Sequence, residues 1–103
     1  DYDLMINAAN WPESRREVWN TLLKARAIEN QCYVAGSNRI GTDGNGIQYC
    51  GDSMIIDPCG RIIASLNPYE AALKTGEISM TKLNQFRKKF PVYKDADDFI
   101  INL

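Results

Sequence analysis

The chain of 103 residues contains no histidine. That absence removes Ser-His-Asp triads, Cys-His dyads and every His-based metal site from within it. Charge of one sign is also missing: 12 Lys and Arg stand against 13 Asp and Glu. A net charge of −1 leaves no electrostatic footprint for nucleic acid. No apolar run approaches the roughly 18 residues that span a bilayer, so a membrane partner is not expected. The three cysteines, at 32, 50 and 59, are odd in number and widely spaced. Neither a disulfide framework nor a CxxC site follows from them, and reduced thiols in a cytoplasm are the simplest reading. What is present suits a globular domain: 45% apolar and 24% charged residues rule out a disordered composition. The length allows one domain with a modest core. The chain opens on Asp1 directly in a strand-like run with no leader, and it reads as a piece of something longer.

Hydrophobic patterning gives an α/β order. Leu4 to Asn7 reads as a buried strand bounded by Asn10-Trp11-Pro12. Pro12 fits the first position of a helix and Glu13 favours its positive end. The helix is expected over about 12–30. Val18, Leu22, Ala25 and Trp19, Leu23, Ala27 form its apolar stripe. Arg26 falls on the stripe's edge, where a cation needs a partner, and Glu29 is nearest in sequence. Cys32 to Ser37 is the next strand, completing a βαβ unit. Thr42 to Gly46 is a turn-rich loop. Asp57-Pro58-Cys59-Gly60 has type I turn preferences and joins strands over 53–56 and 61–65 as a hairpin. A further strand is expected over 72–78, and a helix over 80–90 that Pro91 stops. Several strands read apolar on both faces, yet two helices cannot cover them. A layer on each side is required, so upstream chain or a second subunit must supply one.

No residue set in the chain makes a catalytic constellation. Cys32 has the reactivity of a thiol but sits among apolar neighbours as a small core residue. Cys50, beside Gly51, is expected to be partly exposed, and Cys59 lies in the turn. Gly41-x-x-Gly44-x-Gly46 neither opens a helix nor precedes Gly-Lys-Ser/Thr, so it is a turn and not a phosphate loop. Arg87, Lys88 and Lys89 complement a helix C-terminus as a solvated face. Asp95, Asp97 and Asp98 lack the Gly and distal Glu of an EF-hand and read as surface. Asn10 is open to two readings. An amide at the C-terminal end of a parallel strand is where open α/β sheets place ligand contacts, and Asn equally forms an Asx turn into a helix. Asn38 ends a strand in the same way. Trp11 and Trp19 are core or interface residues, with Trp11 also a candidate pocket wall.

Several segments in order resemble the nitrilase superfamily of carbon–nitrogen hydrolases. They are Asn10-Trp11-Pro12, Ala25-Arg26-Ala27-Ile28-Glu29-Asn30-Gln31 with Tyr33-Val34-Ala35-Gly36, and Asn38-Arg39-x-Gly41. Gly51-Asp52-Ser53, Ile56-Asp57-Pro58-x-Gly60 and Lys89-Phe90-Pro91 extend the match over nearly the whole chain. The loop at 43–46 and the stretch from Asp95 to Phe99 resemble the bacterial omega-amidase branch, which hydrolyses the terminal amide of short 2-oxo acids such as 2-oxoglutaramate. The resemblance implies the C-terminal portion of a four-layer α-β-β-α sandwich, residues 1–103 being part of one domain. It implies a homodimer, a small-molecule amide substrate, and a Glu-Lys-Cys triad without metal or cofactor. Members carry all three triad residues upstream of the strand that opens this chain, so no catalytic residue is assigned here and the chain alone is expected to be inactive. The substrate-binding candidates carried over are Asn10 and, less directly, Trp11. Arg26 and Glu29 are expected to hold the helix against the sheet. Two other readings compete: a standalone, non-catalytic α/β interaction module derived from the same fold, and a thiol redox protein using Cys50 or Cys59.

Overall fold

A computed structural model describes residues 2–95 and 100–101. Strands β1 (Leu4–Ala9), β2 (Tyr33–Asn38), β5 (Met54–Ile56) and β6 (Ile62–Ser65) form one sheet in the order β1-β2-β5-β6. β1 and β2 are parallel, with Leu4 opposite Tyr33 and Ala9 opposite Asn38. The other two pairings are antiparallel. β3 (Ile40–Thr42) and β4 (Gln48–Cys50) make a separate hairpin. Its turn is built by Asp43, whose Oδ1 accepts the N–H groups of Asn45 and Ile47 and whose Oδ2 accepts the Tyr49 hydroxyl.

The connection between the parallel strands is a 3-10 turn (Glu13–Arg15) followed by α1 (Arg16–Asn30). The helix ends as Gln31 turns left-handed, with φ 46°. Trp19, Leu23 and Ala27 bury against Cys32, Val34, Met54 and Ile56, with Met5, Ala9 and Trp11 at the margin. The helix comes close because Gly36 has no side chain: a Cβ there would meet Leu23 Cδ1 at 2.6 Å and Trp19 Cζ2 at 2.9 Å. The expected stripe is therefore only half used. Val18 and Leu22 remain exposed, because they stand on the flank turned away from the sheet. Arg26 does pair with Glu29, at 3.3 Å, but both side chains face solvent. The pair does not hold the helix to the sheet as expected, and an exposed pair of this kind contributes little.

Asp57-Pro58-Cys59-Gly60 forms the expected hairpin turn. Asp57 O accepts from Gly60 N at 2.9 Å, and Asp57 Oδ1 from Cys59 N and Arg61 N. The expected strand over 72–78 is absent. That segment runs across the sheet without pairing, with Gly76 pressed on Ile55, Ile63 and Ala64 and Leu73 in solvent. α2 (Met80–Lys89) is capped by Ser79, whose hydroxyl accepts from Lys82 N. It docks at the start of β1 and β2. Arg87 is not simply solvated: its guanidinium donates to Asp3 Oδ1, Tyr2 O and Gln31 O. Of the acidic stretch, Asp97 and Asp98 lie outside the described residues.

Helix α1 covers one face of the sheet. The other face, carrying Leu4, Ile6, Ala35 and Ile55 by strand alternation, is only partly covered, by the unpaired segment 72–78. Ile6 is 69% exposed, so the expectation of a fully buried first strand is not met within this chain. A cleft of about 220 Å³ lies there between Ile6, Ala35, Ile55, Ala64 and Leu73. The molecule is a slab, 46 × 40 × 17 Å. Its radius of gyration is 16.1 Å, against about 13 Å for a closed domain of this length. Its accessible surface is 7429 Å², where a closed monomer of this mass exposes about 5,800 Å².

Candidate functional site

The two parallel strands end side by side, and their carboxyl ends carry the two asparagines. β1 ends at Ala9, whose carbonyl accepts from Arg39 N at 3.4 Å. Asn10 follows as an exposed residue. Its side chain makes no hydrogen bond among the described residues, so the Asx-turn alternative is not realised. Trp11 is half-buried against the core. Its ring lies 5.9 Å from that of Trp19, with the Arg15 guanidinium 4.7 Å over it. Its indole N–H donates to Arg15 O at 2.6 Å. Both Asn10 and Trp11 thus stand at the expected tip, and neither lines any of four clefts formed among the described residues.

Asn38 does more than end its strand. Its Oδ1 accepts from Trp11 N at 2.7 Å. Its Nδ2 donates to Trp11 O at 2.9 Å and to Gly51 O at 3.0 Å. Its backbone N–H donates to Ser53 Oγ, which donates back to Asn38 O. One carboxamide therefore joins the β1 tip to the connection between β4 and β5. The nearest cleft, about 220 Å³, lies under Asn38, Arg39, Gly51 and Glu70.

A second cluster lies behind it. Gly51 and Asp52 both take left-handed backbone, φ 89° and 54°, which turns the Asp52 carboxylate inward to a 7% exposed position. Arg16 grips it with two bonds, Nε at 3.0 Å and Nη2 at 2.9 Å. Asn20 Nδ2 and the Cys50 thiol also donate to it, and Trp19 Nε1 donates to Asp52 O at 2.9 Å. The hydrogen bond to this carboxylate, then its charge, raises the Arg16 pKa above its ordinary value. It anchors the start of α1, the role the sequence had placed on Arg26 and Glu29. On its outer side is a polar cleft of about 400 Å³ that also borders Lys24 and Asn67. Tyr69 donates to Glu13 and closes the far side of the same corner.

The cysteines are poorly prepared for chemistry. Cys50 is buried, not partly exposed as expected, because the turn at Gly51 folds it under Asp52. Burial first, then the neighbouring carboxylate, pushes its thiol pKa up. Burial does the same to Cys32. A raised pKa means less thiolate near neutrality. Cys59 is exposed in its turn. Among the described residues no helix is long and apolar enough to cross a membrane. Asn38 is expected from the sequence only as a strand-end amide, and Asp52 and Arg16 are not singled out by spacing. Their partners lie 13 to 36 positions away, beyond any local pattern.

Comparison with known proteins fits this arrangement. The carbon–nitrogen hydrolase family profile matches residues 1–88. The omega-amidase YafV of Escherichia coli K12 is 54% identical over 99 residues, covering 96% of this chain and 39% of that protein. The 2-oxoglutaramate amidase of Bacillus subtilis is 38% identical over 93 residues, covering 90% and 35%. The crystal structure of XC1258 from Xanthomonas campestris, a CN-hydrolase superfamily protein, superposes with a TM-score of 0.90 at 44% identity, covering 99% of this chain and 38% of that one. The chain therefore spans about two-fifths of the length of these relatives. Its fold is theirs over that span, and the chain belongs to the carbon–nitrogen hydrolase family.

Proposed function

We propose that this chain is the C-terminal part of an omega-amidase-like hydrolase, which converts the terminal amide of a small 2-oxo acid to the acid and ammonia. The observation that carries the reading is the 54% identity to an omega-amidase across 96% of the chain. The partly covered apolar sheet face supports the accompanying inference that preceding polypeptide completes a four-layer sandwich. A face with Ile6 at 69% exposure is costly in water.

The mechanism follows from the family resemblance, with the triad supplied by upstream sequence. A Glu takes the proton of the Cys thiol, and the thiolate attacks the amide carbon. A Lys ammonium and a backbone N–H stabilise the oxyanion. Ammonia leaves with a returned proton, and water hydrolyses the thioester to acid and free thiol. The raised thiol pKa values of Cys32 and Cys50 support their exclusion from the nucleophile's role. The present residues wall and brace the pocket. Asn10, exposed and without a hydrogen-bond partner among the described residues, is free to offer its amide to the substrate, and Trp11 stands beside it. A cytoplasmic homodimer is the expected setting.

The test is ammonia release from 2-oxoglutaramate. The intact natural protein is expected to be active, with a mass more than twice the 11.6 kDa of this chain, and the 103-residue chain inactive. An intact mass near 11.6 kDa with no amidase activity would instead support the standalone interaction module.

A further inference from the structure

The Asn10 tip has no anchor of its own. β1 ends one residue earlier, Pro12 has no N–H to give, and the Asn10 side chain is free among the described residues. The Trp11 ring is packed on Trp19, and the backbone of the tip is held by the Asn38 carboxamide. We propose that Asn38 is a positioning residue for the substrate site: by clamping both backbone polar groups of Trp11, it fixes where the Asn10 side chain stands. The proposal rests on the reading of Asn10 as a substrate contact.

The geometry is specific. Trp11 N belongs to the peptide plane that joins Asn10 to Trp11, so the 2.7 Å bond from it to Asn38 Oδ1 fixes the orientation of that plane. The return bond from Nδ2 to Trp11 O at 2.9 Å fixes the next plane. Two bonds from one planar group to one residue leave the segment little freedom to rotate. The clamp is itself immobilised. Nδ2 is also held on Gly51 O, and the Asn38 backbone is bonded through Ser53 Oγ on both its N–H and its carbonyl. Gly51 adjoins Asp52, which Arg16 and Trp19 tie to α1. Hydrogen bonds joined through the Gly51–Asp52 peptide thus run from the packed helix to the exposed tip. Only a carboxamide supplies the acceptor and the two donors that Trp11 and Gly51 take up. Small displacements of a positioned group cost rate steeply, so a residue that never touches the substrate still controls turnover.

A double-mutant cycle on kcat/KM for 2-oxoglutaramate, in the intact protein, separates positioning from general support. Asn38→Ala is expected to lower kcat/KM by about tenfold or more. In an Asn10→Ala background the same change is expected to alter kcat/KM by less than about twofold, because its effect passes through Asn10. Equal losses in both backgrounds would overturn the proposal, since a purely structural effect is additive. If Asn10→Ala lowers activity and Asn38→Ala does not, the positioning role alone fails. If Asn10→Ala leaves kcat/KM unchanged, the substrate-contact reading fails and the positioning role with it. Should Asn38→Ala not fold, Asn38→Asp enters the same cycle. It keeps the volume and the acceptor for Trp11 N, but turns an oxygen toward the carbonyls of Trp11 and Gly51. The same outcomes apply.

Discussion

The two faces of the central sheet are equally apolar and quite differently treated. On one, Trp19, Leu23 and Ala27 close over Val34, Met54 and Ile56 until nothing but a glycine fits at 36. On the other, Ile6 is exposed and Ile55 half-buried beneath an unpaired segment. Strand sequence cannot create this difference, because alternation serves both faces alike. The difference lies in what the chain brings to each face: a crossover helix to one, a meandering loop to the other. An apolar strand face is thus a demand for a partner and not proof of one.

The contrast can be broken most sharply with thiol chemistry. Cys32 belongs to the closed core and Cys59 to an exposed turn. In the native protein Cys59 is expected to react with iodoacetamide about a hundredfold faster than Cys32, which is reached only through opening. Comparable rates would mean that the closed face is not closed. The raised pKa of Cys32 adds a sign. Its thiol stays protonated in the native state where the unfolded chain ionises. Stability is therefore full below the ordinary thiol pKa and falls as pH rises from there through the raised native value. Urea midpoints across that alkaline range check this.

Leu23→Ala on the closed face is expected to cost about 3 kcal/mol by urea unfolding of the intact protein. Ile6→Ala on the partly covered face discriminates between readings. A loss of about 2 kcal/mol is expected if preceding polypeptide covers the face, whereas a change near zero would leave it bare in the natural protein. Arg26→Ala is expected to shift stability by less than about 0.5 kcal/mol. A larger loss would restore to that pair the bracing role that the structure gives to Arg16 and Asp52.

Much of the scaffold was legible because its signals are local. The Trp19-Leu23-Ala27 spacing and the Asp57-Pro58-Cys59-Gly60 turn each decide their element from within a few residues, whereas Pro12, expected as the first helical residue, stays extended and caps a 3-10 turn, so that the α-helix starts only at Arg16. The segment 72–78 was misread because a strand needs an edge to pair with, and Gly76 instead lies flat on the sheet. The site was legible in position and not in wiring. Asn10 and Trp11 could be placed at a strand tip, but nothing near Asn38 in sequence announces that its amide binds a backbone 27 residues earlier. Asp52 reads as an ordinary loop carboxylate until Arg16 is brought to it across 36 residues. The burial of Cys50 went unseen for the same reason: it follows from the left-handed turn after it.

The grip of Arg87 on Tyr2 and Asp3 bears on the order of assembly. It joins points 84 and 85 residues apart, while the hairpins close over a handful. Loop-closure entropy rises with that span, so this fastening is expected to engage after the rest of the slab has formed and to release before it. β1 is the edge of the sheet, so its release would bare the ladder of β2 to any neighbouring chain. The Arg87 contacts with Tyr2 and Asp3 thus fasten the edge strand from a point distant in sequence.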